Sequence, residues 1–566
     1  MSGAFRKYGI FLLIPGTVLV FSVFLKIAAG PYWLATNFDP SYQYIVNGLY
    51  LIKGIVPNHT DHPGTPLQML CAAVCWLFNM GRPAEVVVTN VLKAPEFYLR
   101  MVFIILSLLS FFTSLGLGLY VFRKTGDRLA AVLAQLPALS FLTMKSWESF
   151  EPILPVVANV DPEPLLMSVL NLFNICLLMN FYARTSKEAS ISTIFWGLVC
   201  GWGAAIKLTF IPIVLVPLIV LSWKNRFLFV CIFAATFVAW TLPILSKYPI
   251  IWGWVSGIAT HKAAYGTGGA SIGNILSYGL NWENIVLKQA AFGAFLFMAL
   301  VLISGKVISK KWDRGTSFLA ATMAGIFFQF SAVTQHPGAH YLLPGIGLFS
   351  SLFILLYLQS PHVQRGRITC VLILIGVLWG AWQANGYRFK LAGLTKDVVD
   401  FHEQARTKYQ GCTFINYYRS SSQAGALFFG DGSNLSPHFG EELFQLYPQE
   451  FYFHIWGNRI LGFNGRVWSN DLLIQDRCVL FQGDGKFDFS DGPYSVQLLE
   501  KGRFESIHIL TGTTEKQAAL LLAGAMQFMQ SGEYGKAMGF VLQARKLHYQ
   551  PDSSVERLIQ VLGPAR

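Results

Sequence analysis

Charge is scarce in this chain: Asp, Glu, Lys and Arg make up 13% of its 566 residues, against 53% hydrophobic ones. A soluble domain carries about a quarter charged residues, so a water-soluble fold along the whole length is excluded. The sequence also lacks a P-loop and a dinucleotide-binding fingerprint. No repeat relates its two halves. No small-residue cleavage motif follows the first apolar run, 9–29, which is too long for a signal-peptide core and reads as a retained span.

Acids are outnumbered, 30 against 43 basic residues, which leaves a net charge of +13. Nucleic acid is one partner such an excess invites. Basic residues gathered in the cytoplasmic loops of a membrane protein explain it better, and no nucleic-acid partner is expected. Of eight cysteines, Cys71, Cys75, Cys176, Cys200, Cys231 and Cys370 lie in or beside apolar runs and read as small core residues. Cys412 and Cys478 stand in a polar region, where they either pair or remain thiols.

What is present is a series of apolar runs near 9–29, 97–121, 129–145, 163–183, 190–206, 208–222, 227–245, 286–304, 315–333, 341–358 and 368–385. Each is of a length suited to about 30 Å of hydrocarbon, and together they predict a polytopic α-helical membrane protein of about eleven spans. The shorter run at 65–79 follows Pro63 and Pro66 and reads as a helix in the interface. With Arg6 and Lys7 inside, every later inner connection is basic: Arg123-Lys124 and Arg128, Arg184 and Lys187, Lys224 and Arg226, Lys306 to Arg314, Arg365 and Arg367. Only Lys207-Leu208-Thr209 separates two of the spans, and one continuous helix there would invert everything after it.

The outer connections differ in kind. They hold Asp39, Asn58-His59-Thr60-Asp61-His62-Pro63, Asp161 and Glu163, His261-Lys262, and Gln335-His336-Pro337-Gly338-Ala339-His340-Tyr341. Acids and imidazoles crowded onto one membrane face point to a shared outer site. After about Gly386 the composition turns polar, and parity places the rest outside. The expected parts are 1–385, a transmembrane catalytic domain; 386–512, an extracytoplasmic α/β domain; and 513–566, a helical hairpin resembling a tetratricopeptide unit or a plain helix pair. Cys412–Tyr417 and Cys478–Phe481 read as strands, with turns at Gly430-Asp431-Gly432 and Gly483-Asp484-Gly485.

Asp39 has two compatible readings, N-cap of a helix over Ser41–Leu51 and a base for a hydroxyl nucleophile. Asp161-Pro162-Glu163-Pro164 is good helix-start chemistry; beside Asp39 on one face, Asp161 is also a candidate second site carboxylate. His59, Asp61, His62, His336 and His340 are the residue types of a metal site. Because Pro337 and Gly338 break the helical spacing of the last two, donors to an anionic or sugar ligand are the favoured role. Lys207 interrupts an apolar run, where an ammonium calls for an anion or the interface. His261, Lys262 and Tyr265 precede Gly266-Thr267-Gly268-Gly269, a setting suited to phosphate or to a merely flexible loop. Tyr42 and Tyr341 complete the substrate-binding candidates.

In this order the elements resemble the GT-C superfamily of polyprenyl-phosphate-dependent glycosyltransferases, which includes protein O-mannosyltransferases and the aminoarabinose transferases of lipid A. The carrying residues are Asp39 in the first outer loop, a His-Pro motif, Asp161 at a later outer helix start, Gly201–Lys207, and His340–Pro344. The resemblance covers about residues 1–385. It implies an integral protein of the bacterial inner membrane with its site on the periplasmic side, the side to which parity assigns the C-terminal domain. Its activity would be inverting transfer of a hexosyl or pentosyl group from a lipid phosphate to a hydroxyl on a glycan, lipid or protein. Asp39 would be the base, Asp161 or Glu163 the second acid, Lys207 a contact to the donor phosphate, and His62 and His340 pocket lining. Many members carry two adjacent acids in the first loop, whereas Asp39 is followed by Pro40, so a divalent cation stays open. A transporter or flippase, and a non-catalytic envelope assembly protein, are the rival readings.

Overall fold

The computed structural model describes residues 8–34, 40–60, 63–144, 155–260, 290–333, 339–359, 362–417, 420–432, 437–448, 450–454, 459–463, 478–483, 495–511, 514–530 and 532–546. The chain divides into two units, Met1–Gly30 with Gln43–Ala392, and Pro31–Tyr42 with Gly393–Arg566.

The first unit is helical. It opens with α1 (Gly9–Ala29), α2 (Ser41–Ile52), α3 (Thr65–Leu77) and α4 (Ala84–Lys93). Next comes α5 (Pro95–Thr125), which has Pro at its first position, Glu96 in its first turn, Arg123 and Lys124 in its last, and Gly126 beyond at φ +70°. Each of those choices complements the dipole or an end of the helix. Asp127 then caps α6 (Arg128–Gln135) by accepting from Leu129 N at 2.8 Å, and its other oxygen accepts from the Tyr357 hydroxyl.

The middle of the unit is α7 (Pro162–Phe181), α8 (Ser186–Ile206), α9 (Leu215–Val220), α10 (Trp223–Thr241) and α11 (Tyr248–Thr260). A capping box between Thr185 and Glu188 starts α8. Gly197 and Gly201, four apart, let α8 lie directly on α10: a Cβ on Gly201 would stand 2.6 Å from Thr236 Cβ and 2.7 Å from Phe233 O. Small residues at this spacing are how helices approach closely in a membrane. After α12 (Ala290–Ile308) and α13 (Arg314–Val333), a 3-10 turn (Ala339–Leu342) leads into α14 (Leu343–Gly347) and α15 (Phe349–Gln359). Asn174 on α7 donates to Gly347 O at 3.0 Å and accepts from Ser351 N at 3.1 Å, satisfying polar groups that lipid would leave unpaired.

Eight helices among the described residues are long and apolar enough to cross a membrane. Three expected runs, 129–145, 208–222 and 286–304, correspond to shorter apolar helices, Arg128–Leu142, Leu208–Val220 and Gly293–Ile308. The chain is an integral membrane protein of polytopic helical type. The helix α16 (His362–Lys408) has 47 residues, more than twice what a span requires. From Gly393 it belongs to the second unit.

That unit is built on a six-stranded sheet. Its strands are β1 (Thr413–Asn416), β2 (Glu450–His454), β3 (Arg459–Gly462), β4 (Val479–Gly483), β5 (Ser495–Lys501) and β6 (Ser506–Thr511), in the order β3-β2-β1-β4-β6-β5. β1 is parallel to β2 and β4, and the outer pairs are antiparallel. Phe414, Leu480 and Ile507 meet Ala405 of α16 in an apolar core. Cys412 and Cys478 form a disulfide at the start of β1 and β4. Between β1 and β2 lie α17 (Gln423–Gly432) and α18 (Gly440–Leu446). The turn expected at Gly430-Asp431-Gly432 is therefore the last turn of a helix. Asp431 turns its carboxylate onward to accept from His438 N and Phe439 N, at 3.0 and 2.9 Å. The second turn signal is described only at Gly483, which ends β4. The chain closes with α19 (Thr514–Gln530) and α20 (Tyr534–Lys546), joined through Gly532 at φ +78° and packed through Ala525, Ala537 and Val541.

Candidate functional site

Asp161 occupies the N-cap position of α7 with extended backbone (φ −135°, ψ 175°), and Pro162 follows as the first helical residue. Its carboxylate makes no capping hydrogen bond to the helix, although it is only 1% exposed. Glu163, one position into the helix, is as deeply buried.

The partner of Glu163 comes from a break in the chain. α8 stops at Ile206, Lys207 takes an extended conformation (φ −156°, ψ 129°), and a 3-10 helix, Leu208–Val214, begins. Gly203 makes room for the reversal, since a Cβ there would stand 2.7 Å from the Phe210 ring. The Lys207 ammonium donates to Glu163, and each side chain is 3% exposed. The same ammonium lies 4.6 Å from the centroid of the Tyr341 ring, which presents its negative face to the charge. Asp161 also acts electrostatically on Lys207. Tyr341 is fixed by Gln329 of α13, whose Nε2 donates to the Tyr341 carbonyl at 2.6 Å, and the His340 ring lies 3.9 Å from the Tyr341 ring.

Five sequence candidates are thus brought together: Asp161, Glu163, Lys207, His340 and Tyr341. They form a water-poor site with two carboxylates, one ammonium and an aromatic ring. A buried ammonium needs an anion, and Glu163 is one that a phosphate oxygen is chemically able to replace.

His59 has different surroundings. Asn47 on α2 accepts from Asn58 N at 2.6 Å and from His59 N at 3.0 Å, and Gln68 Nε2 on α3 donates to His59 O at 2.6 Å. The Tyr44 ring meets the imidazole edge-on at 5.2 Å. His59 Nε2, Thr65 Oγ1 and Gln68 Oε1 are buried and make no hydrogen bond among the described residues. Tyr42 is fully buried and belongs to the second unit. Asp39, Asp61, His62, His261, Lys262, Tyr265 and His336 lie outside the described residues.

Sequence reasoning missed Asn47, Gln68 and Gln329, the amides that hold these segments. Their signal was an amide inside an apolar helix, costly in lipid unless it has a partner. Among the described residues no group of three or more His, Cys, Asp and Glu side chains is placed to hold a metal ion.

The second unit has its own buried polar cluster. Glu505 accepts from Ser421 N at 2.9 Å, from the Ser421 hydroxyl, and from Gln482 Nε2 at 2.9 Å. Burial pushes the Glu505 carboxyl above its ordinary range, against those hydrogen bonds and the charge of Arg406. Burial likewise lowers the His508 imidazole on β6.

No family model and no curated protein matches the chain. Among solved structures it is similar to a crystal structure of ArnT from Cupriavidus metallidurans bound to undecaprenyl phosphate, at 12% identity and a TM-score of 0.48, over 87% of this chain and 97% of that one.

Proposed function

We propose that the chain is a GT-C-type membrane glycosyltransferase that moves a sugar from a polyprenyl-phosphate donor to an acceptor hydroxyl on an envelope glycan, lipid or protein. The observation that carries this reading is the buried Lys207–Glu163 pair with Asp161 and Tyr341 beside it. A donor with its tail in lipid brings its phosphate to such a site without crossing water. Lys207 exchanges Glu163 for the phosphate and stabilises the charge that grows as the phosphate leaves. The acceptor oxygen attacks the anomeric carbon from the opposite side, the bond from that carbon to the phosphate oxygen breaks, and Asp39 takes the hydroxyl proton. The sugar inverts, and a polyprenyl phosphate is released. His59, Asp61, His62, His261, Lys262, Tyr265, His336 and His340 line the approaches in this reading, with Tyr42 a further substrate-binding candidate; a divalent cation would require the first-loop acid.

The disulfide between Cys412 and Cys478 supports an oxidising, extracytoplasmic setting for the second unit. Residues 1–385 then form the catalytic part in an inner membrane, and 386–512 and 513–566 its periplasmic additions. One observation favours a transporter instead: a helix broken at a buried charge, as at Lys207, is also a feature of carriers. Incubating the purified protein with polyprenyl-phosphate sugars separates the two, because only the transferase releases lipid phosphate.

A further inference from the structure

Three polar side-chain ends in the first unit are buried without a partner. His59 Nε2, Thr65 Oγ1 and Gln68 Oε1 make no hydrogen bond among the described residues, and the three residues are 8%, 0% and 0% exposed. They share one neighbourhood. Thr65 and Gln68 stand three apart on α3 and so lie on one face of it, and the Gln68 bond to the His59 carbonyl brings His59 to that face. The Tyr44 ring backs the turn. It meets the His59 imidazole edge-on at 5.2 Å, and a Cβ on Gly64, which sits at φ +65°, would stand 3.0 Å from the Tyr44 oxygen. What fixes the segment is its backbone: Asn47 holds the N–H groups of Asn58 and His59, and Gln68 Nε2 holds the His59 carbonyl. The three orphaned ends add nothing to that frame.

We propose that His59, Thr65 and Gln68 form a specificity site that binds hydroxyl groups of the transferred sugar. The inference rests on the transferase reading above and deepens it, by naming the groups on the sugar that are read. Because Gln68 Nε2 faces a carbonyl, the orientation of the amide is fixed and its oxygen is left as an acceptor. An oxygen that only accepts repels a phosphate or a carboxylate, and none of the three residues is an acid that would balance an ammonium. A hydroxyl fits both requirements. It donates to Gln68 Oε1 and accepts from the Thr65 hydroxyl or from His59 Nε2 where that nitrogen carries the proton. Valine or leucine would fill the same space with no unpaired group, so the polar ends cost stability until something binds them. The place suits a donor, since α3 packs along α8, whose end carries Lys207.

The test uses the full chain in detergent, with Thr65→Val and Thr65→Ser. Binding is measured for farnesyl phosphates carrying glucose, mannose, galactose or arabinose, and then for the single-deoxy analogues of the tightest of them. In the wild type, loss of one particular hydroxyl should raise Kd on the order of tenfold or more. Thr65→Val should bind the parent sugar as weakly as the wild type binds that deoxy analogue, and should no longer tell the two apart. Thr65→Ser should restore the difference. Free of ligand, Thr65→Val should unfold at no lower temperature than the wild type, because its hydroxyl has no bond to lose. A variant that keeps the wild-type discrimination overturns the proposal. So does one that is less stable when free and discriminates as before, which would mean an internal water only. Should Thr65→Val fail to fold, His59→Phe decides by the same comparison. Discrimination in a protein that releases no lipid phosphate leaves the sugar site and removes the transferase, whereas transfer with no discrimination removes only the site. Failure of every farnesyl phosphate sugar to bind overturns both.

Discussion

The Lys207 ammonium and the Glu163 carboxylate share a hydrogen bond in a site where neither side chain is more than 3% exposed. Taking two charges out of water costs several kcal/mol each, and their attraction offsets that cost only while both are present. Glu163→Gln takes from the buried ammonium the carboxylate it donates to, leaving Asp161 and the Tyr341 ring beside it, and should destabilise the protein by up to about 3–5 kcal/mol. Glu163→Gln combined with Lys207→Met should recover much of the loss. Thermal unfolding in detergent checks this; a double variant no more stable than the worse single one would contradict it.

Gly201 meets Thr236 and the backbone of Phe233 with no room for a side chain. Gly201→Leu should force α8 off α10 and cost more than Gly197→Ala, where the obstructing atoms belong to the Ile232 side chain and Phe229 O. Overpacking of this kind costs about 1–3 kcal/mol or more. The folded yield of each variant after extraction should follow that order.

The Cys412–Cys478 bridge closes a loop with a sequence separation of 66 residues. On chain entropy it stabilises the second unit by about 4 kcal/mol. Cys412→Ser should increase hydrogen exchange in β1 and β4 and leave the protection of α7 and α8 as it was. Equal loosening of both units would show that the bridge acts otherwise.

Glu505 supplies a pH dependence with a definite sign. Its carboxyl titrates above the ordinary 4.5 when folded. The unfolded chain therefore loses that proton first. The stabilisation is complete below that value and is lost as pH rises through the higher folded value. Glu505→Gln should flatten this part of the profile, read as protection of β4 and β6 across a pH series. A variant with the wild-type slope would place the titration elsewhere.

The spans were legible because hydropathy alone decides whether a helix tolerates lipid, and Lys207 was legible as a charge out of place. Its partner was not. Glu163 lies 44 residues away, and only the packing of α7 against α8 brings the two together. Asp161 read both as a helix cap and as a second site carboxylate; it holds the cap position, and its carboxylate makes no capping hydrogen bond to the helix. The sheet order was beyond reach because β1 pairs with β2 and β4 across long connections. Gly430-Asp431-Gly432 misled as a turn because Asp431 bonds forward to His438 and Phe439 rather than within the triplet.

The most direct test of the central claim is the release of polyprenyl phosphate from a lipid-linked sugar by the purified protein, compared between wild type and Asp39→Asn at equal folded yield. The account predicts one lipid phosphate released per sugar transferred by the wild type, and a loss on the order of a hundredfold or more in the variant. Release that persists in Asp39→Asn, or a wild type that moves the lipid-linked sugar without freeing its phosphate, would contradict it.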